Sequence, residues 1–137
     1  SILRVVDYKT SRWKKQLETK DVESIFGQPK KDKHYDYIFQ TFLYCLALDD
    51  NIIKNKANVN ETIAPAVFFI TACSKKDFEP YINYGNNGKL LDFSEVKSEF
   101  KDRLTELLNE IFDIDKPFRE GYKDSCTYCN YKLLCNK

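Results

Sequence analysis

The sequence predicts an α/β fold, a mixed central sheet flanked by helices, and three observations carry that reading. A short apolar strand, Ile2-Leu3-Arg4-Val5-Val6, opens the chain and runs out into Asp7-Tyr8-Lys9-Thr10. A continuous apolar run of strand length lies at Ala66 to Ala72. Two longer segments, Tyr35 to Leu48 and Asp92 to Ile114, carry helical patterning. Strand, helix, strand and helix in this order build a mixed α/β layer. A chain of 137 residues makes one domain with room for a real core, divided into an α/β core at 1–116 and a cysteine-containing tail at 117–137.

Composition narrows the class. Hydrophobic content of 42% with 15% aromatic residues fits a folded protein, not a disordered tail. A net charge of +1 argues neither for nor against nucleic acid, because such binding depends on a local patch. The longest apolar run, Ile63 to Cys73, is interrupted by Pro65 and is too short to cross a bilayer, so no membrane partner is expected. Five cysteines, an odd number, with no visible signal peptide point to a reducing, cytoplasmic setting and to metal chemistry before disulfides. The chain has no Met and opens directly into its first strand, which predicts an N-terminally truncated domain.

In the first strand Leu3, Val5, Asp7 and Lys9 share one face, and Ile2, Arg4, Val6 and Tyr8 the other. A carboxylate and an ammonium thus sit on a face whose earlier positions are apolar, where burial costs several kcal/mol per ion unless something pairs with them. Asp7 suits a Mg²⁺ ligand at a strand end, and Lys9 suits a group steadying an attacking water or the charge growing on phosphate. A salt-bridged pair at a strand end explains the same residues. Acid-any-Lys also occurs at Glu18-Thr19-Lys20, Glu95-Val96-Lys97 and Glu99-Phe100-Lys101, but only Asp7-Tyr8-Lys9 follows an apolar strand.

Thr10 to Lys33 is polar and basic, with Trp13 set among Arg12, Lys14 and Lys15. Cations with an aromatic between them suit a nucleic-acid groove, where bases stack and phosphates pair. A solvated loop accounts for them equally. Gly27 and Pro29 mark a turn.

Tyr35 to Leu48 is apolar nearly all round and is expected to be buried. Gln40 is the long polar side chain in its interior, and Tyr44, four residues on, shares its face. A buried amide and phenol need partners, so this face looks towards polar groups or ligand, or else Gln40 is simply satisfied within the core. Asp49 to Asn60 reads as a polar connection. Ala66 to Ala72 reads as an interior strand covered on both faces. Phe78 to Tyr84 is demoted to an edge by Pro80, and Gly85 to Gly88 is a turn. The last helix carries the stripe Val96, Phe100, Leu104, Leu107, Leu108, Ile111 and Phe112, with Asp92 or Ser94 as cap and Pro117 as its stop.

The tail holds Cys126-x2-Cys129-x5-Cys135. Two thiolates two residues apart chelate one metal, and a closed iron–sulfur or zinc site needs four ligands where three stand here. Three free thiols are the plain alternative. Cys45 and Cys73 read as ordinary buried thiols.

Asp7-Tyr8-Lys9-Thr10, Gln40-x3-Tyr44 and the cysteine triplet, in this order, resemble the PD-(D/E)XK nuclease domain of AddB/RecB-like helicase–nucleases, in its iron–sulfur branch. The resemblance spans the whole chain. It implies a restriction-endonuclease-like core and a DNA substrate, with a helicase subunit or fused helicase domain as partner. It also implies Mg²⁺ or Mn²⁺ at Asp7 and the Tyr8 backbone carbonyl, and Lys9 contacting water or the transition state. Gln40 and Tyr44 would lie near the site and the DNA strand. Cys126, Cys129 and Cys135 would carry a [4Fe–4S] cluster in the full-length protein, with zinc as the alternative. The family's further metal-binding Asp and fourth cysteine have no counterpart in these residues, so both sites are incomplete within them. A non-catalytic DNA-binding or structural module of the same fold is the rival reading.

Overall fold

A computed structural model of the protein describes residues 2–12, 16–27, 33–55, 62–86, 88–117, 126–127 and 129–134, and within 50–55 the backbone only. The elements are β1 (Ile2–Lys9), β2 (Glu18–Thr19), α1 (Glu23–Phe26), α2 (Tyr35–Asn55), β3 (Thr62–Phe69), β4 (Asn83–Tyr84) and α3 (Ser94–Ile111). The chain divides into two compact units, Ser1–Arg103 and Leu104–Lys137. Trp13, Lys14, Lys15, Pro29 and Cys135 lie outside the described residues.

Strand β1 pairs in parallel with β3, in register from Ile2 opposite Thr62 to Lys9 opposite Phe69. The short strands β2 and β4 form a second parallel pair. Among the described residues the sheet expected as one mixed layer is therefore two parallel pairs, with antiparallel bridges between Asn83 and Lys89 and between Ala66 and Tyr81 as the mixed elements. The second bridge puts Tyr81 at an edge, where Pro80 points.

Pro65 does not interrupt β3; it lies inside it and is fully buried. Phe93 N–H donates to the Ile63 carbonyl at 2.7 Å, and Val67 N–H donates to the Pro80 carbonyl at 2.7 Å. Backbone groups at 63, 65 and 67 thus turn away from β1, and the N–H that proline lacks costs the β1 ladder nothing. The strand begins earlier than the apolar run suggests and ends at Phe69, after which Ile70–Ala72 close a 3₁₀ turn.

Helix α2 runs on to Asn55 instead of stopping at Leu48, since no Gly or Pro breaks it. Nor is it buried all round. Ile38, Thr41, Phe42 and Cys45 are fully buried at i, i+3, i+4, i+7 spacing, whereas Tyr44 is exposed. Burial pushes the Cys45 thiol up to about 12, with the Asp49 carboxylate adding to it, so it stays protonated. Cys73, expected buried, is exposed, because it follows the 3₁₀ turn and not the strand itself.

The polar stretch before α2 contributes more core than its composition suggests. Leu17, Val22 and Ile25 are buried, and Asp21 Oδ1 accepts the Ser24 N–H at 2.8 Å at the start of α1. Around Phe100 the aromatic rings of Phe26, Phe39, Phe42 and Phe93 pack with centroids 5.4 to 6.3 Å away. Asp92 Oδ1 accepts the Ser94 N–H at 2.9 Å, the cap expected for α3. Val96 and Phe100 are buried, but Leu108, Ile111 and Phe112 are exposed, so the stripe is covered only along its first half.

Candidate active site

The pleat of β1 brings Asp7 and Lys9 to one face, and α2 lies over it. Lys9 Nζ stands 2.9 Å from Asp7 Oδ2, with the two side chains 17% and 11% exposed. It donates to Gln40 Oε1 at 2.5 Å. Gln40 Nε2 in turn donates to Tyr44 Oη at 2.7 Å. The ammonium also lies over the Tyr37 ring, 4.5 Å from its centroid. Asp7, Lys9, Gln40 and Tyr44 therefore form one connected polar set across two elements and 37 positions of sequence.

Directions of donation follow from chemistry. An ammonium only donates, so the Gln40 oxygen must face Lys9 and its NH₂ must face Tyr44. The Tyr44 oxygen already accepts from Gln40, so its own O–H is left to donate outward, from a side chain 46% exposed. An acceptor such as a phosphate oxygen fits that direction.

Asp7 Oδ2 is inaccessible to solvent and accepts no hydrogen bond; the Lys9 approach at 2.9 Å is an ion contact off the hydrogen-bonding direction. Buried in this state, the oxygen depends on the nearby Lys9 ammonium for its compensation and has room in its hydrogen-bonding capacity for a further cation. Among the described residues no cluster of three or more His, Cys, Asp or Glu is positioned to hold a metal ion. The donor set in hand is thus one carboxylate. That fits Mg²⁺, which keeps several waters and takes one or two carboxylates plus substrate phosphate, but it supplies only part of such a site.

Of the other expected residues, Arg12 is exposed beyond the end of β1, and Tyr8 is exposed on the opposite face, its ring 5.7 Å from Phe68. Cys126 and Cys129 lie within one turn, Cys129 N–H donating to the Cys126 carbonyl at 3.2 Å and Tyr131 N–H to Cys129 Sγ at 3.4 Å.

Three residues beside the site escaped the reading of the sequence. Tyr37 lies under Lys9, its hydroxyl is 3.2 Å from Ser11 Oγ, and the Ser11 carbonyl accepts from Thr71 Oγ1 at 3.1 Å. Tyr37 precedes Gln40 by three residues, and that helical spacing was the available signal. A separate cavity of about 530 Å³, lined by Glu18, Lys20, Lys33, Tyr35, Asn83 and Asn86 among others, includes none of the four site residues. The Glu18 carboxylate, hydrogen-bonded to Lys33, pushes that ammonium's pKa up.

The sequence profile of the PD-(D/E)XK nuclease superfamily matches residues 2–136. No curated protein and no solved structure gives a significant match.

Proposed function

The chain belongs to the PD-(D/E)XK nuclease superfamily, and from that membership we propose that it hydrolyses DNA phosphodiester bonds with Mg²⁺ or Mn²⁺. The observation that carries this reading is the pair Asp7 and Lys9 on one face of β1, with Asp7 Oδ2 buried and short of a hydrogen bond. Nucleases of this superfamily typically use divalent metals. Asp7, with the Tyr8 carbonyl, would hold the ion, which supplies a Lewis acid for the phosphate and lowers the pKa of water. Lys9 would contact the attacking water or the developing phosphate charge, fixed in place by Gln40. The outward O–H of Tyr44 would donate to a phosphate oxygen of the strand. Arg12, with Trp13, Lys14 and Lys15, would follow the DNA backbone beyond it.

One carboxylate binds Mg²⁺ weakly, so these 137 residues alone are expected to cleave poorly, a second acid from elsewhere in the protein completing the site. Full-length protein given linear DNA and Mg²⁺ or Mn²⁺ should release nucleotides or fragments, and a chelator should stop the release. Cleavage undiminished by EDTA, or none with either metal, would overturn the reading.

The finer placement is an AddB/RecB-like helicase–nuclease of the cytoplasm, acting in DNA repair and recombination. Among the described residues no helix is long and apolar enough to cross a membrane. For the cysteines the reading is an iron–sulfur centre on Cys126, Cys129, Cys135 and one further cysteine; what speaks for it is that Cys126 and Cys129 lie within one turn, with the Tyr131 N–H directed at Cys129 Sγ at 3.4 Å. Anaerobically purified full-length protein should contain about four irons and four sulfides per chain, as a [4Fe–4S] cluster requires. A colourless protein with one zinc would replace the cluster with zinc. Neither metal, with unchanged folding after Cys126→Ser, would remove both.

A further inference from the structure

We propose that Tyr37 is a positioning residue which keeps the Lys9 ammonium over the site when Asp7 turns to a metal ion; this rests on the nuclease reading above. In the structure the ammonium has three supports: Asp7 Oδ2 at 2.9 Å, Gln40 Oε1 at 2.5 Å and the Tyr37 ring face at 4.5 Å. A divalent cation drawn to the buried Asp7 oxygen weakens the first of these. The carboxylate's charge would then be shared, and Lys9 would meet like-charge repulsion in a site with little solvent to screen it.

A single hydrogen bond to a neutral amide leaves a long, flexible side chain free to swing about that contact. The ring face of Tyr37 removes this freedom and attracts the ammonium without presenting a competing anion. It can do so because the ring is held at several points. The His34 ring stacks parallel to it at 4.9 Å, and Phe69 packs at 6.1 Å. His34 does this from a backbone φ of 50°, an uncommon conformation for a residue other than glycine, at the foot of α2. The hydroxyl, 3.2 Å from Ser11 Oγ, ties the ring to the loop that leaves β1, and the Ser11 carbonyl accepts from Thr71 beyond β3. Both catalytic-face strands are thus referenced to the same ring. Tyr37 itself need not touch substrate.

The test reads the contact and the chemistry separately. Protons over an aromatic face are shifted upfield in NMR, so the Lys9 ε-methylene, identified by its loss in Lys9→Ala, should be upfield in the wild type. It should stay upfield on addition of Mg²⁺, remain so in Tyr37→Phe, and return to the ordinary lysine position in Tyr37→Leu. In the full-length nuclease, Tyr37→Leu should lower kcat about tenfold with KM for DNA nearly unchanged, and Tyr37→Phe should restore most of it. An unshifted Lys9 signal in the wild type, its return to the ordinary position with Mg²⁺, or equal losses in Tyr37→Phe and Tyr37→Leu would overturn the proposal. A wild type that cleaves no DNA overturns the nuclease reading instead, whereas an active wild type with an unshifted signal overturns only the role of Tyr37.

Discussion

In the full-length protein, Lys9→Ala and Asp7→Ala are each expected to reduce the cleavage rate about 10²–10³-fold, the usual consequence of removing one contact made in the transition state. The two differ in what they do to the fold. Lys9→Ala leaves the Asp7 carboxylate in a site only 11% exposed with neither its ion contact nor a hydrogen bond at Oδ2. Removing one partner of a buried pair destabilises by several kcal/mol, because the remaining charge is uncompensated. The double variant Asp7→Ala/Lys9→Ala should therefore be more stable to urea than Lys9→Ala alone, yet equally inactive. Magnesium-dependent cleavage at the wild-type rate by either single variant would show that these residues form a structural salt bridge and nothing more. A double variant less stable than both singles would show that the pair stabilises the fold in spite of its desolvation.

How much of this was legible in the sequence depends on the range of the interaction. The Asp7–Lys9 pairing was readable because a strand's period of two fixes which side chains meet, whatever surrounds them. Gln40 and Tyr44 were readable for the same reason on a helix, and they are hydrogen-bonded as that spacing allows. The end of α2 was not. Asp49 looked like the start of a polar connection, but its carboxylate pairs with Lys97 on α3, a partner no local pattern reveals. Pro65 misled because its penalty depends on which way the missing N–H would point, and that is set by Phe93 and Pro80 from elsewhere in the chain. Leu17 was hidden as a single apolar residue among polar ones, and Val22, Ile25 and Phe26, although at helical spacing, span too short a stretch to stand out from the polar segment around them. Tyr37 was hidden because its partner, Lys9, sits on another element.

The largest effect on stability is expected at Phe100. Its ring is fully buried and meets four other rings, with centroids at 5.4 Å for Phe42, 5.5 Å for Phe26, 5.7 Å for Phe39 and 6.3 Å for Phe93. These contacts draw together α1, α2 and α3, so a void here cannot be closed by moving one side chain. Phe100→Ala should cost about 3–5 kcal/mol, combining lost transfer energy with the cavity left behind. That is a large part of the total for a domain of this size, typically about 5–15 kcal/mol. Phe100→Leu, which keeps most of the volume, should lose clearly less. Because Phe39 and Phe42 flank Gln40 on α2, a loosened cluster also loosens the residue that orients Lys9. Urea denaturation followed by circular dichroism measures the effect, with nuclease activity read well below each variant's midpoint. A loss within about 0.5 kcal/mol in Phe100→Ala, the range of ordinary surface changes, would mean that the aromatic cluster is not the core that holds α2 against β1.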